Sequence, residues 1–254
     1  MARQLLEFAP GFSAYAGGDE EARFIYKEIF EDHTYNVAEL PDNAFIIDAG
    51  ANIGMFTLYM KKKYPSSKIL AFEPAPETFG TLARNVELHK LEGVELHECA
   101  LGSKETTQTL TFYPTFPGNS TLVPEEKEHI KRVGHEANMG DFVDKMFKDA
   151  SEISVPIKRL SHFLQDRTDL VSIDLLKVDV EGAELEVLRG LDDAHWALVR
   201  NVVAEICDLR GELDELESLL KSRGFSITRE AAEWAPKEAK IFTVVARREA
   251  ATVS

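Results

Sequence analysis

FIIDAGANIG, residues 45–54, is an apolar run that passes into a glycine turn, and this stretch decides the fold class. Residues 44–47 predict a buried strand, and Ile53, Phe56 and Met60 then share one face of a predicted helix. Glycines at a strand-to-helix turn allow positive φ angles, and the amide N–H groups there can point into a ligand crevice. The turn therefore predicts the first unit of an α/β sheet with a ligand at its end. A tight turn without a ligand is the alternative interpretation.

Short apolar runs and amphipathic helices continue to alternate along the chain, which is the pattern of β-α-β units. The whole chain, residues 1–254, is interpreted as one domain. The further predicted strands cover residues 69–72, 94–98, 173–180, 202–206, 225–228 and 241–246.

Two segments fall outside this alternation. Residues 1–40 predict an N-terminal helical flap, because Phe24, Ile25 and Phe30 are grouped in one segment. Residues 114–152 form a polar, charged insertion, and insertions of this size in a compact domain are often lids or binding loops. We therefore expect two capping elements over the ligand site.

The end of the second predicted strand carries the residue that points to a nucleoside. Glu73 follows the glycine turn by about 20 residues, where a carboxylate can accept both ribose hydroxyls. NAD-binding folds share this spacing, but a dinucleotide site expects G-x-G-x-x-G around its pyrophosphate. Asp48 instead puts a negative charge beside the turn, which suits a cationic sulfonium better than a pyrophosphate. The pattern favours S-adenosylmethionine over NAD.

Several motifs together resemble the FkbM-type methyltransferases of natural-product pathways. They cover most of residues 20–248, with the weakest similarity in the insertion. One departure is His162, where family members more often carry Asp. The motifs are Phe45 to Gly54, Ala71-Phe-Glu-Pro74, Asn85, Cys99-Ala-Leu-Gly102, Leu176 to Glu184 and the upstream Tyr26 to Tyr35.

The resemblance implies a Rossmann-like seven-stranded sheet with helices on both faces and the last strand antiparallel. It also implies a set of cofactor residues, with the turn around the methionine moiety, Glu73 on the ribose, and residues 98–101 beside the adenine. The predicted cofactor residues are Asp48, Gly50, Asn52, Gly54, Glu73, Pro74, Cys99, Ala100, Leu101 and Asp179.

A second acidic constellation follows the strand at residues 173–180. Alternation puts Lys177 and Asp179 on one face of that strand, near its carboxyl end, where open sheets bind ligands. Glu205 ends the neighbouring strand, with Asp208 just beyond it. Asp179, Glu205 and Asp208 are a candidate all-oxygen site for a divalent cation such as Mg²⁺. One acid orienting the substrate, with the others solvated, is the alternative.

Methyl transfer to an alcohol requires a group that takes up the hydroxyl proton. We predict Asp179, Glu205, Lys177 and Asn119 as catalytic residues, with Lys177 as a base if it is partly desolvated. Asn119 and its neighbour Ser120 resemble a family position near the reacting centre, although an ordinary turn would also suit this sequence.

Three histidines in the capping elements are further candidates for the base, because imidazole titrates near neutral pH. They are His33 in the flap and His129 and His135 in the insertion. A histidine in a charged segment is more often a solvated surface residue.

The composition disfavours several classes of binding partner. A formal net charge of -15 disfavours unaided binding to nucleic acid or to an anionic membrane. The sequence contains no apolar stretch near the roughly 20 residues of a membrane-spanning helix. It has two cysteines, Cys99 and Cys207, without metal-ligand spacing, so we expect a cytoplasmic protein. The expected partner is a small-molecule acceptor, and the sequence makes no prediction of the oligomeric state.

The leading hypothesis is O-methylation of a hydroxyl group on a small natural product. Methylation of carbon or nitrogen on a polyketide or peptide intermediate, including a carrier-bound one, is the alternative. A non-catalytic nucleoside-binding subunit is a third reading, and the intact glycine turn with Glu73 argues against it.

Overall fold

Twelve strands and eight helices make up the part of the chain that the computed structural model describes, residues 3–36 and 38–248. The strands are β1 (Gln4–Ala9), β2 (Phe12–Ala16), β3 (Phe45–Ala49), β4 (Lys68–Phe72), β5 (Val94–His97), β6 (Ala100–Leu101), β7 (Thr106–Phe112), β8 (Ser151–Lys158), β9 (Leu175–Val178), β10 (Asn201–Cys207), β11 (Ser226–Ala231) and β12 (Ile241–Arg247). The helices are α1 (Asp19–Tyr26), α2 (Met55–Lys63), α3 (Pro76–Leu88), α4 (Pro124–Glu136), α5 (Gly140–Met146), α6 (Glu184–Arg189), α7 (Asp193–Trp196) and α8 (Glu212–Ser222).

The main sheet has seven strands in the order β11-β12-β10-β9-β3-β4-β5. The pairs β10-β9, β9-β3, β3-β4 and β4-β5 are parallel, while β12 runs antiparallel to both β10 and β11. The predicted seven-stranded sheet with an antiparallel last strand is therefore confirmed. The parallel strands end at one edge, where the glycine turn follows β3.

Helices cover both faces of this sheet, because alternate strand residues feed two separate hydrophobic clusters. Ile46 and Ile69 pack with Phe56 of α2 in one cluster. Ile47 and Leu70, one position further along their strands, pack in the other cluster with the apolar side chains of α6 and α8. Both strand faces are therefore buried, as expected for a parallel sheet between helices.

The N-terminal segment differs from the predicted helical flap. Residues 4–16 form an antiparallel hairpin of β1 and β2, and helix begins only at α1, followed by a π-helical turn at Lys27–Glu31. Phe30, one member of the group that suggested helix, contacts Phe12 of the hairpin and Tyr26 of α1, with ring centroids 4.8 and 4.7 Å apart. These contacts join the hairpin to the helical turn.

The 114–152 segment connects two strands of a separate small sheet, whose order is β6-β8-β7. It contains α4 and α5 and a short 3₁₀ turn at Pro117–Asn119. No helix within residues 3–36 and 38–248 is long and apolar enough to cross a membrane.

Candidate active site

A cavity of about 400 Å³ lies where the parallel strands of the main sheet end. Both capping segments contribute to its lining, through residues of α1 and its π-helical turn and through residues 116–120. The predicted site residues on the cavity wall are Gly50, Asn52, Glu73, Pro74, Cys99, Ala100, Leu101, Asn119, Lys177, Asp179 and Glu205. The predicted residues Asp48, Gly54 and Asp208 are not on the wall.

The glycine turn is built by close approaches between backbone segments. Gly50 has a φ of +79°, and a Cβ atom there would collide with the Asp179 carbonyl oxygen. Gly54 has a φ of +92°, and its Cβ would lie 2.7 Å from the Leu82 side chain. Glycine at both positions is thus required by the protein's own packing. In particular, the turn after β3 and the turn after β9 touch at Gly50.

The amide groups of this turn do not face the crevice as the sequence suggested. The Gly50 and Ala51 N–H groups both donate to the Phe72 carbonyl, over 3.1 and 2.8 Å. The Asn52 N–H donates to Glu73 Oε2 over 3.0 Å. Asn52 Oδ1, by contrast, is buried without a hydrogen-bond partner among the described residues. This carbonyl oxygen is the polar atom of the turn that remains for a ligand.

Glu73 is fixed at the end of β4 by two backbone donors. Its carboxylate accepts the Asn52 N–H at 3.0 Å and the Ala75 N–H at 2.9 Å. Burial raises the pKa of Glu73 to about 7, while these two bonds oppose the rise. The carboxyl group is thus held rigidly at the cavity wall, with acceptor capacity left on both oxygens.

Asp48 makes its contacts within the sheet and with α2, and it does not line the cavity. Its buried carboxylate accepts the Thr57 hydroxyl at 2.8 Å and lies 3.2 Å from the Lys177 ammonium. β3 and β9 pair so that Asp48 stands directly beside Lys177. The expectation that Asp48 would face a sulfonium is therefore corrected, because its charge is already balanced by Lys177.

Lys177 is a structural cation and a poor candidate for the catalytic base. Its Nζ donates to the Gly50 carbonyl over 2.6 Å and lies 3.5 Å from Asp179 Oδ2. Burial alone would lower the pKa of Lys177, but the Asp48 and Asp179 carboxylates outweigh it, and the pKa is raised. A lysine that holds its proton so firmly cannot take one from an alcohol near neutral pH. The contacts of Lys177 therefore do not favour its predicted role as a base.

Beyond Lys177, an acidic junction forms on the same face of the sheet. Asp179 Oδ2 accepts the hydroxyl of the buried Tyr35 at 3.1 Å. Burial, with Asp179 and Glu28 nearby, raises the pKa of Glu205 well above its usual value. Burial and the same neighbouring Asp179 raise the pKa of Glu28 to about 7. Two carboxyl groups beside Asp179 thus favour their protonated forms.

Two residues of this junction, Tyr35 and Glu28, had no role in the sequence-based prediction. Both lie in the Tyr26 to Tyr35 segment, which resembles the corresponding segment of natural-product relatives. That segment was the available signal, but its side-chain directions depend on the π-helical turn at Lys27–Glu31.

The two caps contact each other across the cavity. The Gly118 N–H of the insertion donates to Glu21 Oε1 of α1 over 2.7 Å. Burial raises the pKa of Glu21 to about 8, against the lowering effect of this bond. On the far side, the buried Lys127 of α4 forms an ion pair with Glu181. The flap and the insertion are thus both anchored to the site.

The predicted histidines do not reach this site. His129 contacts the Glu238 carbonyl at 3.0 Å, and the half-exposed His135 contacts Asp144 at 3.0 Å. His33 lies 3.4 Å from the Tyr59 hydroxyl. None of the three is on the cavity wall. Their proposed role as base is not supported by their positions.

The predicted metal site is not assembled. The Asp208 carboxylate accepts the Leu213 N–H at 3.2 Å and so caps the start of α8, away from Asp179. Within residues 3–36 and 38–248, no group of three or more His, Cys, Asp or Glu side chains is arranged to hold a metal ion. Asp179 and Glu205 remain neighbours on the cavity wall, without Asp208.

Glu184, the first residue of α6, has a structural role. Its Oε1 accepts the N–H groups of Val180 and Gly182, over 3.2 and 3.0 Å. Burial raises the pKa of Glu184 to about 8, against these two bonds. Glu184 therefore stabilises the turn between β9 and α6.

This sheet order, with a cavity at the ends of its parallel strands, defines the class I methyltransferase fold. A crystal structure of Methyltransferase FkbM from Methylobacillus flagellatus has this fold. It superposes with a TM-score of 0.56 at 14% identity, over 87% of this chain and 47% of that chain.

The chain belongs to the FkbM methyltransferase family, since the Methyltransferase FkbM domain matches residues 48–227. Methyltransferase sdnD of Sordaria araneosa is 51% identical over 97% of this chain and 97% of its own length. The 31-O-demethyl-FK506 methyltransferase FkbM of Streptomyces tacrolimicus is 37% identical over 83% of this chain and 84% of its own. The resemblance noted in the sequence is confirmed.

Proposed function

We propose that this protein transfers a methyl group from S-adenosylmethionine to a hydroxyl oxygen of a small natural product. The observation that carries the proposal is that two kinds of residues line one cavity. We assign the glycine turn, Glu73 and residues 99–101 to a first half, and Asp179 with Glu205 to a second half. The first half offers hydrogen-bond acceptors for a nucleoside, and the second half offers carboxyl groups for the hydroxyl of an alcohol.

The first half fits the cofactor on two observations. Asn52 Oδ1 is a buried acceptor that lacks a partner among the described residues, and it lies on the turn nearest the cavity. Glu73 is a second fixed acceptor, suited to ribose hydroxyls. When bound, S-adenosylmethionine supplies a methyl group activated by the positive sulfur. Glu73 and Asn52 would hold it, with residues 99–101 beside its adenine.

The second half suits a hydroxyl acceptor because its acids are oriented in advance. The Tyr35 hydroxyl and the Lys177 ammonium both lie within 3.5 Å of Asp179 Oδ2, which restrains that side chain. An alcohol placed between Asp179 and Glu205 would donate its proton to the Asp179 carboxylate as the oxygen reacts. Tyr35 and the two caps enclose this region, which limits access of water.

Oxygen as the methylated atom is favoured over carbon or nitrogen by these carboxylates. They suit the proton of a hydroxyl, and the Streptomyces relative is named as a methyltransferase of an O-demethyl compound, 31-O-demethyl-FK506. The alternative, methylation of a carrier-bound intermediate, is disfavoured by the net charge of -15, since carrier proteins are acidic as well.

The test is a methylation assay with free alcohols from the neighbouring biosynthetic pathway, followed by mass spectrometry of the product. Asp179→Asn should lower turnover by about 100-fold or more, since acid–base groups contribute this much. Its affinity for S-adenosylhomocysteine should stay within about twofold in calorimetry, because RT ln 2 is only about 0.4 kcal/mol.

Asp208→Asn is the matched control, because asparagine can still accept the Leu213 N–H outside the cavity. It should retain full activity. A fully active Asp179→Asn enzyme would remove the acceptor assignment. Methylation of a carrier-loaded substrate alone would establish the alternative.

A further inference from the structure

Three large aromatic side chains stand exposed at the mouth of the cavity. Phe24, Phe142 and Trp234 are 46%, 39% and 50% exposed, and all three line the cavity. We call them the aromatic rim. Exposed apolar patches at the edge of a pocket are typical of ligand-binding surfaces, whereas single exposed apolar residues need no explanation.

The aromatic rim is assembled from three separate parts of the chain. Phe24 belongs to α1, Phe142 to α5, and Trp234 to the connection between β11 and β12. Phe24 and Trp234 meet edge to face, with ring centroids 5.5 Å apart. None of the three joins a buried cluster among residues 3–36 and 38–248. Phe142 packs edge to face on Phe116, another residue of the cavity lining, with ring centroids 5.9 Å apart. The ring contacts of the three residues are thus with each other or with the cavity lining, and the buried clusters do not account for their convergence.

The size of the cavity indicates that an acceptor must extend past its mouth. At about 400 Å³ it lies near the lower end of the roughly 300–1,000 Å³ that a single drug-sized ligand occupies. The same space has to receive the cofactor and the reacting end of the acceptor. The remainder of any larger acceptor has to lie against the aromatic rim.

The charge of the wall indicates the character of that acceptor. Glu20, Glu21, Glu28 and Glu205 line the cavity, and among the described residues that line it Lys177 is the only lysine or arginine. The Lys177 ammonium is already held by Asp48 and Asp179. An anionic acceptor would thus find carboxyl groups and no free cation.

Building on the function proposed above, we infer that the aromatic rim binds the apolar ring system of an uncharged polycyclic alcohol. The hydroxyl of this alcohol lies in the cavity, and its rings contact Phe24, Phe142 and Trp234. These three residues set the preference for large apolar acceptors, and they take no part in the transfer itself.

The test measures binding with defined probes in the presence of saturating S-adenosylhomocysteine. Nile red, a neutral fluorescent dye, is titrated first. Phenol, 2-naphthol and an uncharged hydroxysteroid then displace it. For the full-length parent, affinity should rise along this series. Trp234→Ser should weaken the steroid about tenfold, as loss of an aromatic anchor does, and phenol less than twofold.

Val171→Ser is the matched control, since Val171 is 80% exposed and lies outside the cavity. It should leave every affinity unchanged. Equal losses for phenol and steroid in Trp234→Ser, or none for either, would overturn the inference. So would stronger binding of the steroid's sulfate ester than of the steroid itself.

The two proposals fail separately. Absence of S-adenosylhomocysteine binding in calorimetry would refute the proposed function, while the dye titration would still report on the aromatic rim. Binding of the cofactor product together with a flat response to acceptor size would refute the inference about the rim alone.

Discussion

Replacing Lys177 by methionine should destabilise the protein severely, because it strips the buried Asp48 of its counter-charge. Asp48 has no exposed surface, and the Lys177 ammonium lies 3.2 Å from its Oδ1. The Thr57 hydroxyl would then be the remaining partner of that carboxylate among the contacts described. Breaking a buried ion pair by removing one partner costs about 3–5 kcal/mol.

The loss would be measured by urea unfolding and by thermal melting. For a chain of this size each kcal/mol lowers the melting temperature by roughly 2–4 °C, so a decrease of roughly 6–20 °C is expected. The sign of the pH dependence follows from the raised pKa of Lys177. Its contribution is complete below the unfolded lysine pKa and is lost only as pH rises through the higher folded value. The contribution of Lys177 itself should therefore be constant from pH 6 to pH 9.

Two further variants test whether charge, and not packing, is the cause. Lys177→Met combined with Asp48→Asn should recover about half of the lost stability, since no unpaired charge remains buried. Lys61→Met is the matched control. Its ammonium donates to the Pro65 and Ser67 carbonyls, so its loss should cost about 1–3 kcal/mol. A Lys177→Met protein as stable as its parent, or one that the second substitution does not rescue, would refute the reasoning.

Three more predictions concern the cofactor, the pH dependence and the caps. Glu73→Gln should weaken S-adenosylhomocysteine binding by about 1.5–3 kcal/mol in calorimetry, the value of hydrogen bonds to a charged group, and unchanged affinity would exclude Glu73 from the ribose site. Glu184→Gln should flatten the pH dependence of stability. A carboxyl with a folded pKa of about 8 stabilises the native state at low pH and loses this as pH rises from 4.5 through 8, by at most about 5 kcal/mol. Equal slopes for parent and variant between pH 5 and pH 8.5 would contradict that. Hydrogen exchange of residues 19–31 and 116–146 should slow when cofactor and acceptor bind, and identical rates would make these segments fixed structure.

Local periodicity was enough to predict most of the main sheet. The strands around Ile47 and Leu70 are recognisable in the sequence as short apolar runs, because both faces of a parallel sheet are buried. The hairpin at residues 4–16 was missed for the converse reason. Its strands are short and only partly buried, so their alternation is weak, and the apolar residues grouped between Phe24 and Phe30 favoured helix.

Which side chains meet could be predicted only where a known motif placed them. The glycine turn and Glu73 came to one cavity, as their spacing indicated. The pairing of Asp48 with Lys177 depends on the register between β3 and β9, strands more than 100 residues apart, and no local pattern encodes that register. Asp208 was misassigned because it lies one residue beyond the end of β10. There its side chain contacts the neighbouring helix α8 and not the cavity.

The contact between Gly50 and the Asp179 carbonyl has a consequence for laboratory evolution. Because any side chain at Gly50 would push that carbonyl aside, the two walls of the cavity can change only together, through several simultaneous substitutions. Phe24, Phe142 and Trp234 sit on three independent segments, so each can mutate alone without disturbing the others' backbone. A saturation library at these three positions should yield many folded enzymes with new acceptor ranges, whereas a library at Gly50 should yield almost none.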